Sequence, residues 1–165
     1  MTVLVSSEHP HAAAAARRLR TRAAAYLRAL GRAEVELSIL LTTDAGIRRL
    51  NRRWRGIDRP TDVLSFPLSD PPGIGTVLGD VVISIDTAAR RGGEDARAVR
   101  RELDRYLAHG ILHLLGFDHE RRSDAKVMAA REEALVRADG LVGAAMKRER
   151  VGRAGMDPRR QKKKE

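Results

Sequence analysis

The stretch His109-Gly-Ile-Leu-His113-Leu-Leu-Gly116-Phe-Asp-His119 decides how the centre of this chain folds. His109 and His113 are four residues apart, so on a helix their imidazoles lie one turn apart on the same face. Gly116 predicts the end of that helix, because glycine adopts the left-handed conformation without a steric penalty. The chain can then turn back and bring His119 towards the other two histidines.

Apolar residues surround the two helical histidines. They are Leu107, Ile111, Leu112, Leu114 and Leu115. A helix that is apolar nearly all round is buried in its domain. A lone histidine there is usually a packed side chain with hydrogen-bonded nitrogens, but three would need many separate partners. Three converging neutral imidazoles instead suit one divalent transition-metal ion, above all zinc.

The residues around the histidines indicate what kind of metal site this is. The chain has no cysteine, whereas structural zinc sites are usually closed and rich in cysteine. Three histidine ligands leave a fourth position for water, which is typical of a hydrolytic site. Zinc peptidases with the motif His-Glu-x-x-His place a general base directly after the first histidine. Gly110 occupies that position, which disfavours a peptidase. A residue without a side chain there either leaves space beside the metal for a substrate or a neighbouring backbone, or it serves packing alone.

Length and composition predict a soluble single-domain protein. The chain has 165 residues, enough for one domain with a real core. No run of eighteen apolar residues occurs, so we expect no membrane span and no membrane partner. The alanine run near the start is interrupted by arginines and lacks the layout of a secretory signal, which predicts a cytoplasmic location. The lack of cysteine fits a reducing compartment.

Positive charge is concentrated in the last nineteen residues. Residues 147–165 contain nine lysines and arginines against three acids, and the whole chain carries +10. We therefore divide the chain into a metal-dependent hydrolase domain, residues 1–146, and a basic tail, residues 147–165, expected to be disordered. Such a tail favours a nearby polyanion such as RNA, or it only aids solubility. Composition alone leaves both readings open.

Periodicity and turn residues predict nine secondary-structure elements. The predicted strands are residues 2–5, 34–41, 62–66 and 79–85, and the predicted helices are 10–30, 44–54, 86–91, 94–115 and 123–140. Strands and helices do not alternate regularly, which favours an α+β fold. We expect one roughly four-stranded mixed sheet packed with about five helices, with the histidine-bearing helix buried at the centre.

The histidine string resembles the signature of the YbeY family, the bacterial endoribonucleases of rRNA maturation. Two further segments are similar to that family in the right order. They are Leu50-Asn-x-x-Trp-Arg-Gly-x-Asp-x-Pro-Thr-Asp-Val-Leu-Ser-Phe-Pro67 and Leu78-Gly-Asp-Val-Val-Ile-Ser84. The resemblance spans about residues 35–120. It implies the same α+β architecture.

The resemblance also implies a function and a set of site residues. It implies a zinc-dependent endoribonuclease specific for single-stranded rRNA of the small ribosomal subunit, active in its maturation and quality control. Ribosomal proteins or assembly factors are further expected partners. The family's functional arginine falls on Arg55, where a guanidinium would stabilise charge on phosphoryl oxygens. Arg52, Arg53 and Arg59 compete with it for phosphate contacts.

Two other functions stay open at this point. The chain could be a ribosome-assembly factor that binds RNA and holds a structural metal, or a zinc hydrolase or peptidase of another substrate. Asp118 either orients a histidine nitrogen or only shapes its turn. We expect Trp54 and Phe66 to pack in the core rather than stack on bases. His9 and His11 are expected on the surface.

Overall fold

The computed structural model describes residues 1–68, 72–118 and 121–138. Its elements are β1 (Thr2–Ser7), α1 (Ala13–Ala29), β2 (Glu36–Thr42), α2 (Asp44–Arg55), β3 (Val63–Pro67), β4 (Val77–Ser84), α3 (Ile85–Gly92), α4 (Ala96–Leu114) and α5 (Arg122–Arg137). Each overlaps an element that the sequence predicts, which confirms the α+β fold. The expected end of the last helix at Gly140 and the tail, 147–165, lie outside the described residues.

The sheet is mixed, with the strand order β1-β2-β4-β3. β1, β2 and β4 are parallel, and β3 pairs with β4 in the antiparallel direction. Parallel neighbours need long crossover connections, which α1 and α2 help to provide. β3 is the last strand in this order and so forms an edge of the sheet. Ser65 at its centre lies opposite Val81 of β4.

Side chains that alternate along the strands separate two faces of the sheet. Ile39 and Val81 belong to the main core, which α1 and α4 cover. Leu40 and Val82 point the other way and pack with Ile47 of α2. The sheet thus has α4 on one face and α2 on the other.

Helix α4 is the buried central helix that the sequence predicts. Five of its side chains are fully buried: Leu107, Ala108, Ile111, Leu112 and Leu114. The carboxylate of Asp95 caps its start by accepting the amide of Arg97 at 2.8 Å. At its end, Gly116 has φ 86° and donates its amide to the carbonyl of His113. The predicted glycine stop is confirmed.

The start of the first helix differs from the sequence-based expectation. The first helix begins at Ala13 rather than at Pro10, because the side chains of Ser7 and His9 accept backbone amides and hold a turn before it.

Among the helices of the described ranges, none has both the length and the apolar character needed to cross a membrane.

Candidate metal centre

His109 and His113 meet on one face of α4. Their Nε2 atoms are 3.0 Å apart, and the ring planes cross at 73° with centroids 4.6 Å apart. Both side chains are partly buried at the surface of the core. The four-residue spacing thus brings two imidazole nitrogens to one place, as predicted. His119, the third predicted ligand, lies outside the described residues.

A carboxylate from another helix holds one of these rings. The Nδ1 atom of His109 lies 3.0 Å from Oε2 of Glu132 on α5, and Arg105 lies 3.4 Å from the other oxygen of that carboxylate. An ionised carboxylate only accepts, so Nδ1 carries the hydrogen and the Nε2 atom of a neutral ring presents a lone pair. Metal-binding histidines usually donate their other N–H to such a partner.

Glu132 was not predicted as a site residue. Met128 and Leu135 are buried on α5, and Glu132 lies four residues after the first and three before the second. All three therefore share one face of the helix. A carboxylate on an otherwise buried face was the signal that could have identified it.

The donors in the described part of the chain fit a zinc ion, although they do not complete its coordination. Two nitrogens held 2.0–2.1 Å from zinc at tetrahedral angles lie about 3.3 Å apart, close to the 3.0 Å between the two Nε2 atoms. Among the described residues, no group of three or more histidine, cysteine or carboxylate side chains surrounds a common point. A complete tetrahedral site requires donors beyond this pair.

A small cleft opens beside His109. It is lined by Asp62, Val63, Arg105, Tyr106, His109 and Glu132. Arg91 bridges two of its walls, with contacts of 2.8 Å to Asp62 and 3.3 Å to the hydroxyl of Tyr106. Burial, followed by a hydrogen bond to Glu102, raises the pKa of Tyr106 to about 12. Its hydroxyl therefore stays protonated near neutral pH and does not act as a base.

At Gly110, between the two histidines, α4 packs closely against the sheet. A Cβ atom at this position would lie 2.7 Å from Cγ1 of Val81 and 3.2 Å from Oγ of Ser65. The Ser65 hydroxyl donates a hydrogen bond of 3.2 Å to the Gly110 carbonyl. The structure therefore gives Gly110 a packing role, one of the two readings that the sequence left open.

Arg55 is the last residue of α2, and its side chain is exposed. The neighbouring Trp54 packs edge-to-face on Phe66 of β3, with ring centroids 6.1 Å apart. Phe66 directly follows Ser65, which contacts Gly110 from the opposite face of β3. Arg55 and the histidine-bearing helix thus lie on the two sides of the same edge strand.

Comparison with known proteins identifies the family. Residues 5–139 match the family model described as Endoribonuclease YbeY, which spans most of the chain. This chain belongs to the YbeY family. The resemblance found in the sequence is thereby confirmed.

Curated members of the YbeY family are close relatives. A protein of Anaeromyxobacter sp. named Endoribonuclease YbeY is 69% identical over 147 residues, covering 89% of this chain and 77% of the relative. A protein of the same name from Anaeromyxobacter dehalogenans is 67% identical and covers 94% of this chain and 81% of its own length. A solution structure from Thermotoga maritima, 26% identical, superposes with a TM-score of 0.61 over 82% of this chain and 87% of that one.

Two expectations about side chains outside the YbeY histidine motif were wrong. Trp54 is 62% exposed rather than packed in the core, because it lies in the last turn of α2, where its ring meets Phe66 edge-on. The side chain of His9 is only 11% exposed, and its Nε2 atom lies 3.0 Å from a carboxylate oxygen of Asp86. His11 is exposed, as expected.

Proposed function

We propose that this chain is a zinc-dependent endoribonuclease that cleaves single-stranded rRNA of the small ribosomal subunit during its maturation. The observation that carries the proposal is the His109–His113 pair, with Nε2 atoms 3.0 Å apart and one ring held from behind by Glu132. Membership of the YbeY family supports endoribonuclease activity. The net charge of +10 supports a polyanionic substrate.

His109 and His113 would hold the zinc ion, with His119 as the third ligand. A bound zinc ion supplies Lewis acidity and lowers the pKa of water at its open position towards ~7. Glu132 keeps the Nδ1 hydrogen of His109 in place and so orients the ring. Gly110 provides no general base next to His109, which favours a phosphodiester over a peptide as substrate.

Arg55 would stabilise the charge that builds on the phosphoryl oxygens. Its guanidinium is planar, always charged and able to contact phosphate at two points, and its side chain is exposed beside β3. Ribosomal proteins or assembly factors on the small subunit are proposed as further partners. The proposed place of action is the cytoplasm.

The test is cleavage by the purified full-length protein with and without a chelator. A single-stranded rRNA fragment should be cut and casein should not. The chelator should stop cleavage, zinc should restore it, and circular dichroism should show a folded protein throughout. Cleavage of casein would instead indicate a peptidase. Unfolding by the chelator, in a protein that binds RNA without cutting it, would indicate an assembly factor with a structural metal.

The same assay tests Arg55. Arg55→Ala should lower kcat by about 10²–10³-fold, the loss typical for one donor that stabilises developing charge. Arg55→Lys should rescue poorly, because an ammonium lacks the two-pronged geometry. Zinc content should stay unchanged. Arg28→Ala, at an exposed position on α1, is the matched control. Cleavage by Arg55→Ala at the wild-type rate would remove Arg55 from the site.

A further inference from the structure

The outer side of α2 carries a dense set of positive charges. We call it the arginine face, and it consists of Arg48, Arg49, Arg52, Arg53 and Arg55, all of which are exposed. The opposite side of the helix is buried through Ile47 and Asn51. Helical spacing aligns positions 48, 52 and 55 in one stripe about 10 Å long, with 49 and 53 beside it.

Most of the charge of the arginine face has no ionic partner among the described residues. Among the described residues, one ion pair involves the arginine face. It joins Arg48 and Asp58, with Nε of Arg48 2.8 Å from Oδ1 of Asp58. The hydrogen bond from Arg48, followed by the charges of Arg48 and Arg52, holds the pKa of Asp58 below its usual value. Asp58 therefore stays ionised near neutral pH. Arg49, Arg52, Arg53 and Arg55 form no ion pair with another described residue, so their guanidinium groups can contact an external anion.

An exposed aromatic ring borders the arginine face. Trp54 is the one tryptophan of the chain and is 62% exposed. The guanidinium of Arg53 lies 5.4 Å from the centre of its ring, and Phe66 supports the ring from the sheet. Proteins that bind single-stranded nucleic acid combine a basic surface, which follows the phosphates, with aromatic side chains on which bases stack.

We propose that the arginine face and Trp54 form a track for the single-stranded RNA next to the cleavage point. The arginines contact phosphates without regard to sequence, and Trp54 stacks on one base. The proposal rests on the RNA substrate proposed above. Trp54 lies against β3, the edge strand that also contacts Gly110 between the two histidines. The track therefore leads to the edge strand beside the metal centre.

The arginines are tested by the salt dependence of binding. A labelled single-stranded RNA 20-mer is titrated with the full-length protein, and gels confirm that it stays intact during the measurement. The variant R49Q/R52Q/R53Q should bind at least tenfold more weakly, and its slope of log affinity against log salt should fall by about 2, since three phosphate contacts are lost. Arg55 is left unchanged because of its proposed role in cleavage.

A control with the same loss of charge is R17Q/R20Q/R28Q, which replaces three exposed arginines of α1. α1 packs against β1, at the edge of the sheet away from β3, so this variant should keep the wild-type slope. Equal slopes for the two triple variants would overturn the proposal while leaving the proposed nuclease intact. A wild-type protein that does not bind the RNA would overturn both.

Trp54 reports on the track directly, because the chain has no other indole. RNA should quench its fluorescence, and Trp54→Leu should weaken binding about tenfold. Vesicles of phosphatidylglycerol and phosphatidylcholine test the competing possibility of a membrane-binding surface. A blue shift of Trp54 emission with vesicles, together with no change on RNA binding, would overturn the proposal.

Discussion

At the scale of single residues, Glu132 determines how His109 presents its nitrogens. Its carboxylate lies 3.0 Å from Nδ1 on the side of the ring away from His113. Removing it takes away the acceptor that holds the Nδ1 hydrogen of His109. We therefore expect Glu132 to contribute to the affinity for metal as well as to the packing of α5.

Replacing Glu132 should weaken zinc binding. Glu132→Ala is expected to lower the affinity by about 10–100-fold, the usual effect of losing such a partner. Glu132→Gln, which keeps an acceptor but loses the charge, should fall between this variant and the wild type. Competition with a chromogenic chelator measures the affinity. Glu133→Gln is the control, because Glu133 is 60% exposed and pairs with Arg137. Equal zinc affinities for Glu132→Ala and the control would contradict the role.

The histidine pair was predictable from the sequence, whereas Glu132 and the exposure of Trp54 were not. The His109–His113 pair follows from helical spacing alone, because both residues lie on one helix. Glu132 is brought to His109 by the docking of α5 on α4, which no local pattern encodes. The burial of Trp54 was predicted wrongly, because the exposure of this side chain depends on where α2 ends relative to the sheet.

At the scale of elements, Gly110 controls how closely α4 approaches β4. Alanine favours a helix by ~1 kcal/mol over glycine, but its Cβ would lie 2.7 Å from Cγ1 of Val81. We expect the contact to dominate and Gly110→Ala to lower the free energy of unfolding by about 1–3 kcal/mol. Urea denaturation measures this. A variant as stable as the wild type would show that α4 can shift at no cost.

A double-mutant cycle with Val81→Ala isolates the contact. Shortening Val81 makes room for the new methyl group, so Gly110→Ala should cost less in that background. The helix shift in Gly110→Ala would also move His109, so we expect this variant to bind zinc more weakly. Adding Val81→Ala should restore zinc affinity together with stability. Independent effects of the two substitutions would mean that Val81 is not the obstacle.

The elements, the mixed sheet and the buried central helix were predictable, but the strand order was not. Strand and helix positions follow from periodicity and turn residues, as with the glycine stop at Gly116. The antiparallel placement of β3 at the edge of the sheet depends on which strand it pairs with, and a single strand's pattern does not contain that information. The start of α1 at Ala13 depends on side chains that hold the preceding turn.

At the scale of the whole molecule, the tail 147–165 is expected to add affinity without chemistry. It carries +6 of the net +10 and no histidine or cysteine. Removing it should leave the Tm and the turnover at saturating RNA unchanged, since little apolar sequence is lost. RNA binding should weaken and depend less steeply on salt. Identical salt slopes with and without the tail would show that it does not contact the RNA.

The strand order also governs the order of events during translation. β2 needs β4 as a neighbour, and the two strands are about forty residues apart in the chain. Until residue 84 has left the ribosome, the nascent chain therefore holds β2 with one open edge, a template for unwanted strand pairing. Pairing between distant segments is also slow. We therefore expect the half-synthesised chain to aggregate more readily than the folded protein, and a pause before residue 84 to prolong that state.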